Sequence, residues 1–256
     1  MKAAASKYVE NKGYLSRLAR TDEWAAREAH GNLPGEFTDE AEWLRHMRED
    51  YPRFVPFLTR KCGLHFHGRI LEIGAGACWF SAALSRLPRV VEIVATDFSP
   101  RLLKDFAPRV FELLGARADK ITRMPADFHK LPFGDQRFHF VVCSAVLSQA
   151  VNMVTVLREA RRVLRPGGKL VAIREPVWPR FPFRARTRRP ANRAPAPGEK
   201  QWYTLEEYGE FFARAGSELE ARRVNLSSGL KYYFNEVVNG LTHARYALVA
   251  TKRTRK

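Results

Sequence analysis

Short apolar runs alternate with longer amphipathic segments between about residues 68 and 175. Four of the apolar runs have the length of a buried strand, and they read RILEI, VVEIVATD, FHFVVCSAV and KLVAIREP. A segment between two of them, VTVLREARRVLRPGG, has the apolar spacing of a helix that proline and glycine would end. This alternation predicts an α/β fold, with a mostly parallel sheet and helices on both of its faces.

The two ends of the chain have a different texture. Residues 1–67 are polar and helical in pattern, which predicts an N-terminal helical extension. The stretch 177–198 is rich in arginine and proline and lacks hydrophobic periodicity, so we expect an inserted loop there. The chain then resumes with a capped amphipathic helix, TLEEYGEFFARAG, and two predicted strands. We therefore expect one main domain over residues 68–256.

The composition fits one elaborated domain. The chain has 256 residues, of which 45% are hydrophobic, so it can bury a large core. No apolar run approaches the roughly 18–20 residues that span a bilayer, and the amino end lacks a secretory signal. Three scattered cysteines, Cys62, Cys78 and Cys143, form no disulfide framework and no zinc-binding pattern. We expect a cytoplasmic protein without a metal site and without a membrane partner.

The net charge of +17 is concentrated in two segments. Six arginines and no acid lie between Arg180 and Arg193, and the tail TKRTRK adds four cations. Such an excess raises RNA as an alternative partner. The rest of the chain is only moderately basic, so the charge alone does not define a nucleic-acid-binding protein.

One glycine turn has the pattern of a ligand site. Gly74 and Gly76 follow a predicted strand and precede a predicted helix, so a ligand could approach their backbone closely. Asp97 ends the next strand, 23 positions after Gly74, and could accept hydrogen bonds from two ribose hydroxyls. Trp79 replaces the last glycine of a dinucleotide-binding motif, which argues against a dehydrogenase.

Four segments in order over residues 69–174 resemble the class I S-adenosylmethionine-dependent methyltransferases, in particular the type 11 group. They read LEIGAGACWFS, ATDFSP, PADFHKLPFGDQRFHFVV and LREARRVLRPGGKLV. The resemblance implies a Rossmann-like, doubly wound sheet of seven strands whose last strand is antiparallel. It also implies that S-adenosyl-L-methionine lies over the carboxyl ends of the first strands.

The resemblance assigns a part of the cofactor to each matching residue. Glu72, Gly74 and Gly76 would hold the methionine part, and Asp97 would bind the ribose. The adenine would pack on Phe98, and its amino group would donate to Asp127, which has Phe128 beside it. Ser144 and Ala145 would lie below the sulfonium.

Substrate chemistry is less well defined by the pattern. His139 stands where relatives usually carry aspartate, and Ser148 and Gln149 stand where many carry histidine. Methyl transfer depends mainly on alignment, and a base is needed only if the acceptor must lose a proton. Candidate catalytic residues near the strand ends are Gln149 and Glu175, and Arg174 and Tyr203 are further candidates.

We therefore expect an enzyme that methylates a small-molecule acceptor, with residues 1–67 and 177–198 forming a cap. Two alternatives remain open: an RNA methyltransferase, suggested by the charge, and a cofactor-binding subunit that lacks catalysis. The residues do not indicate whether the acceptor atom is oxygen, nitrogen or carbon.

Overall fold

The computed structural model describes residues 5–18, 39–178, 201–227 and 245–253. Most of the predicted loop 177–198, and therefore the arginines Arg180–Arg193, lie outside the described residues. None of the helices in the described ranges has the length and apolar character of a membrane-spanning segment.

Eight strands form one sheet among the described residues, in the order β1-β4-β3-β2-β5-β6-β8-β7. The strand β8 runs antiparallel to β6 and β7, and the other neighbouring pairs are parallel. The strands are β1 (Lys7–Tyr8), β2 (Gly68–Ile73), β3 (Val90–Asp97), β4 (Ile121–Pro125), β5 (Phe138–Ser144), β6 (Leu164–Ile173), β7 (Leu219–Arg223) and β8 (Tyr246–Thr251).

Helices pack on both faces of this sheet. The α-helices are α1 (Lys12–Leu18), α2 (Glu40–Arg45), α3 (Phe54–Arg60), α4 (Trp79–Ser85), α5 (Ala107–Leu114), α6 (Met153–Val163) and α7 (Leu205–Arg214). A π-helical turn over His46–Asp50 and a 3₁₀ turn over Tyr51–Arg53 join α2 to α3. A second π-helical turn, Leu102–Phe106, precedes α5, with Pro108 in the first turn of that helix.

Each face of the sheet has its own apolar core. On one face the side chains of α3, α4 and α5 pack against β2 and β3, and Trp43 of α2 is fully buried among them. On the other face α6 and α7 cover β5, β6 and β8. The α/β class, the parallel sheet and the antiparallel last strand are therefore confirmed.

The strand count of seven was wrong, because β1 adds an eighth strand at the edge of the sheet. Lys7 pairs with Thr122 and Tyr8 with Arg123, and the N–H of Val9 donates to the Arg123 carbonyl at 2.8 Å. Residues from the predicted extension thus join the main sheet. The division at residues 67 and 68 stays a prediction.

The boundary between α6 and β6 also differs from the prediction. The helix ends at Val163, and the segment from Leu164 through the two glycines belongs to the strand. Leu164 pairs with Phe138, and a register irregularity follows before Lys169 pairs with Phe140. Cross-strand pairing therefore overrides the local signal of proline and glycine.

Candidate active site

The glycine turn lies immediately after β2. Gly74 and Gly76 adopt left-handed backbone conformations, with φ of 59° and 52°. A Cβ atom at Gly74 would lie 2.5 Å from Cγ2 of Val146, whereas one at Gly76 would meet nothing within 4 Å. The turn is therefore tightly packed on one side and borders open space at Gly76.

The carboxylate of Asp97 is fixed beside this turn. The N–H of Gly76 donates to Oδ2 of Asp97 at 2.7 Å, and the N–H of Ser99 donates to Oδ1 at 2.8 Å. Asp97 is the last residue of β3, the neighbour of β2 in the sheet. The two strand ends thus bring together the glycine turn and the acid that were predicted to share a ligand.

Glu72 lies beneath the turn and is 1% exposed. Both the N–H (2.8 Å) and the hydroxyl of Ser81 donate to its Oε2, which ties β2 to α4. Burial raises the pKa of Glu72 to about 8, because the charged form loses its hydration. The side chain thus supports the turn from inside the fold, and contact with the methionine part of a cofactor stays a prediction.

An N-terminal helix reaches the position predicted for adenine. Tyr14 of α1 packs edge-on against Phe98, with ring centroids 6.3 Å apart, and its hydroxyl donates to the Phe98 carbonyl at 3.3 Å. Tyr14 is buried, whereas Phe98 is only partly buried. The sequence places Tyr14 in the predicted cap but gives no sign of this particular contact.

Asp127 and Phe128 follow β4 and lie near His129. The backbone N–H of His129 (2.8 Å) and its ring Nδ1 (2.9 Å) both contact Oδ1 of Asp127. Burial alone would raise the pKa of Asp127, but these bonds from His129 outweigh it and hold the pKa below its usual value. The ring of Phe128 lies 4.7 Å from that of His129.

Ser144 and Ala145 stand at the end of β5. Ala145 has a left-handed φ of 58°, and its N–H donates to the Ile173 carbonyl of β6 at 2.9 Å. Gln149 folds back on the same residue, since its Nε2 donates to the Ala145 carbonyl at 2.7 Å. A left-handed alanine costs about 1–3 kcal/mol, so the surrounding contacts must hold it in place.

Glu175 binds the loop that follows β5. Its carboxylate accepts N–H groups from Val146 (2.9 Å), Leu147 (3.0 Å) and Ser148 (3.1 Å), and the residue is 3% exposed. Burial raises the pKa of Glu175 against the lowering effect of the three amides. The carboxylate is thus engaged with the backbone, and the catalytic role assigned to Glu175 stays a prediction.

The predicted residues come together because their strands are parallel and adjacent. Strands β4, β3, β2, β5 and β6 are consecutive in the sheet, so their carboxyl ends meet at one edge. Ser81 and Val146 also support this edge, and their contacts could not be predicted from the sequence. Nothing in their local pattern distinguishes them from other helix and loop residues. The predicted residues in or after these strands are Glu72, Gly74, Gly76, Asp97, Phe98, Asp127, Phe128, Ser144, Ala145, Gln149 and Glu175.

Comparisons with known proteins show similarity to methyltransferases. Residues 71–172 match the family described as methyltransferase domain. A ubiquinone/menaquinone biosynthesis C-methyltransferase, UbiE, from a Geobacter species is 30% identical over 122 residues, which are 47% of this chain and 51% of that protein. A malonyl-[acyl-carrier protein] O-methyltransferase from Halorhodospira halophila is 33% identical over 103 residues, covering 40% of this chain and 33% of that protein.

A solved structure shares the fold over most of the chain. An S-adenosylmethionine-dependent methyltransferase from Aquifex aeolicus superimposes with a TM-score of 0.55 at 18% identity, covering 91% of this chain and 99% of that one. The shared fold and the match over residues 71–172 support the resemblance to class I methyltransferases that the sequence indicates. The chain spans about half the length of the first curated relative and a third of the second.

Proposed function

We propose that the protein is an enzyme that transfers a methyl group from S-adenosyl-L-methionine to a small-molecule acceptor. The observation that carries the proposal is the Asp97 carboxylate held beside the open glycine turn. The methyltransferase domain over residues 71–172 supports the same reaction.

The groups along this edge fit the cofactor. The carboxylate of Asp97 is fixed by N–H groups of the turn and of Ser99, and carboxylate oxygens are acceptors suited to ribose hydroxyls. Open space at Gly76 admits the methionine part, and Oδ2 of Asp127 can accept from the adenine amino group. The further residues proposed to hold the cofactor are Glu72, Gly74, Phe98, Phe128, Ser144 and Ala145.

Alignment is the main catalytic task of the chain. The bound cofactor supplies a methyl group on a sulfonium that is already activated for displacement. Holding nucleophile and methyl in line can contribute about 7–11 kcal/mol. We assign orientation of the acceptor to Gln149, whose side chain is fixed on the Ala145 carbonyl. Glu175 would maintain the loop that carries Gln149.

The names of the relatives support a small acceptor without identifying it. One is named for ubiquinone and menaquinone biosynthesis and the other for malonyl-acyl carrier protein, and neither name refers to RNA. One name specifies carbon and the other oxygen as the methylated atom. We propose that residues 1–67 and the segment 177–198 cover the acceptor; the cytoplasmic location stays a prediction.

The test separates binding from transfer. S-adenosyl-L-homocysteine should raise the Tm of the purified protein, because a ligand that binds only the folded state stabilises it, and NADH should not. Incubation with methyl-labelled cofactor and a bacterial cell extract should then place label in the low-molecular-weight fraction. Stabilisation by NADH would contradict the cofactor assignment. Binding of S-adenosyl-L-homocysteine without any transfer would instead support the non-catalytic subunit.

The net charge of +17 favours RNA as a second candidate acceptor. RNA binding predicts that log affinity falls with log salt at about −0.7 per phosphate contacted. Replacing Arg180–Arg193 with a Gly/Ser linker should flatten that slope if those arginines contact phosphate. Label recovered in RNA rather than in small molecules would establish this alternative.

A further inference from the structure

Arg174 lies at the carboxyl end of β6, beside the candidate site. It is the first residue after β6 and has a left-handed φ of 59°, unusual for a residue with a long side chain. The residue is partly exposed, in contrast to the buried Ile173 and Glu175 on either side of it. Strained backbone of this kind concentrates at functional sites.

The guanidinium of Arg174 lies between the end of β5 and the turn over Tyr51–Arg53. Its Nη2 donates to the Tyr51 hydroxyl at 2.7 Å, and Nη1 donates to Ser144 Oγ at 3.4 Å. The central carbon of the guanidinium lies 3.9 Å from the centroid of the Tyr51 ring. Tyr51 in turn packs against Trp79, the first residue of α4, with centroids 5.1 Å apart. Arg174 therefore sits at the edge where Ser144 is proposed to lie below the sulfonium.

The described carboxylates at this edge are engaged by the protein. Glu175 accepts three backbone N–H groups, Asp97 accepts two, and Asp127 is bonded to His129. Each of these carboxylates therefore already orients a loop or a turn. An acceptor that arrives already ionised needs no general base from these groups.

We propose that the acceptor is a carboxylate, which Arg174 holds for methylation to a methyl ester. The proposal rests on the methyl transfer proposed above. A guanidinium matches a carboxylate in shape, and the sulfonium of the cofactor is also cationic, so both attract the anion. A carboxylate oxygen forms the new O–C bond as the C–S bond breaks, and that electron pair remains on sulfur as a neutral thioether. No proton moves, because a carboxylic acid is already ionised at neutral pH.

Alkaline treatment of the labelled product tests this chemistry. A methyl ester releases labelled methanol in mild base, whereas methyl groups on carbon, nitrogen or an ether oxygen stay attached. We expect wild-type protein, methyl-labelled cofactor and the small-molecule fraction of a bacterial extract to give base-labile label. Label that is stable to base would overturn the proposal and leave methyl transfer intact.

Variants of Arg174 test whether formation of the methyl ester depends on this side chain. Arg174→Gln should reduce formation of base-labile label at least about tenfold, the usual scale for losing a charge-assisted hydrogen bond. Arg174→Lys keeps the charge and should retain an intermediate activity. Both should bind S-adenosyl-L-homocysteine within about twofold of wild type. Arg117→Gln, which removes an exposed charge paired with Asp119, is the matched control. Undiminished ester formation by Arg174→Gln would overturn the assignment.

If no methyl transfer is detected, a binding experiment tests whether the acceptor site prefers a carboxylate. Benzoate and octanoate, each compared with its amide, are titrated into protein saturated with S-adenosyl-L-homocysteine. We expect wild type to prefer an acid over its amide and Arg174→Gln to lose that preference. Equal binding of acids and amides by wild type would contradict the proposal, whereas a failure of S-adenosyl-L-homocysteine to bind would contradict the proposed function.

Discussion

The backbone N–H of Gly76 donates a hydrogen bond of 2.7 Å to Oδ2 of Asp97. The bond joins the turn after β2 to the end of β3, so the carboxylate of Asp97 orients the turn at the glycine that borders open space. The glycine permits the left-handed φ of 52° that points its N–H at the acid.

Asp97→Ala should weaken binding of S-adenosyl-L-homocysteine by about 1.5–3 kcal/mol, or roughly 10- to 150-fold in Kd. The loss combines the missing ribose contacts with a turn that has lost its acceptor. Isothermal titration calorimetry measures the effect. Asp119→Ala, at an exposed acid paired with Arg117, is the control. An unchanged Kd in Asp97→Ala would refute the ribose assignment.

The two glycines of the turn should respond differently to alanine. Gly76→Ala introduces only backbone strain, whereas Gly74→Ala also forces a Cβ against Val146. We expect Gly74→Ala to lower the free energy of unfolding by at least about 1 kcal/mol more than Gly76→Ala, which is the scale of overpacking. Urea denaturation measures both.

A double variant identifies the cause of that difference. In Gly74→Ala/Val146→Ala the colliding methyl groups are gone, so the combined loss should be smaller than the sum of the two single losses. Strict additivity would show that the contact with Val146 is not what makes Gly74 necessary.

The succession of the main strands along the chain, and the meeting of the candidate site residues at one edge of the sheet, could be predicted because their signals are local. Apolar runs such as VVEIVATD read as strands, and a glycine turn or an acid after such a run lies at the carboxyl edge of a parallel sheet. In contrast, β1 has only two residues and exists through its pairing with Thr122 and Arg123. A strand of that length leaves no periodicity in the sequence.

Conformations that depend on distant contacts were also beyond prediction. Ala145 and Arg174 are left-handed although neither is glycine, and the N–H of Ala145 is bonded to the carbonyl just before Arg174. The carboxylate of Glu175 turned inward to three amides, which the pattern REP cannot indicate. Such features arise from tertiary packing rather than from local propensity.

The buried Glu72 should make stability dependent on pH. Its pKa rises to about 8 in the folded state, from 4.5 in the absence of burial. Between these values the folded state retains a proton that the unfolded state has lost, so stability falls as pH rises, by up to about 1.4 kcal/mol per pH unit. Above about pH 8 both states are ionised and the penalty is constant.

Glu72→Gln should remove this dependence. Its amide oxygen can still accept from Ser81, so we expect a stability close to wild type near pH 5 and a higher stability than wild type at pH 9. Urea denaturation at pH 5, 7 and 9 gives the comparison, with Glu112→Gln on the exposed side of α5 as control. Parallel pH curves for wild type and Glu72→Gln would show that Glu72 does not titrate in this range.

Asp127→Ala should weaken binding of S-adenosyl-L-homocysteine less than Asp97→Ala does. Asp127 would contact one amino group at the edge of the site, and its Oδ1 is already bonded to His129. The same calorimetric titration ranks the two variants. A larger loss for Asp127→Ala would mean that the adenine contact, rather than the ribose contact, dominates recognition.

Glu175→Gln distinguishes a positioning residue from a general base. Three N–H groups converge on this carboxylate, and a glutamine offers them one oxygen and an NH₂ group that repels a donor. We therefore expect the free energy of unfolding to fall by about 1.5–3 kcal/mol, together with a weaker affinity for S-adenosyl-L-homocysteine, because Val146 also packs on Gly74. Glu210→Gln on the exposed side of α7 should change neither quantity. A general base would behave differently: stability and cofactor affinity would be preserved, and methyl transfer alone would be lost.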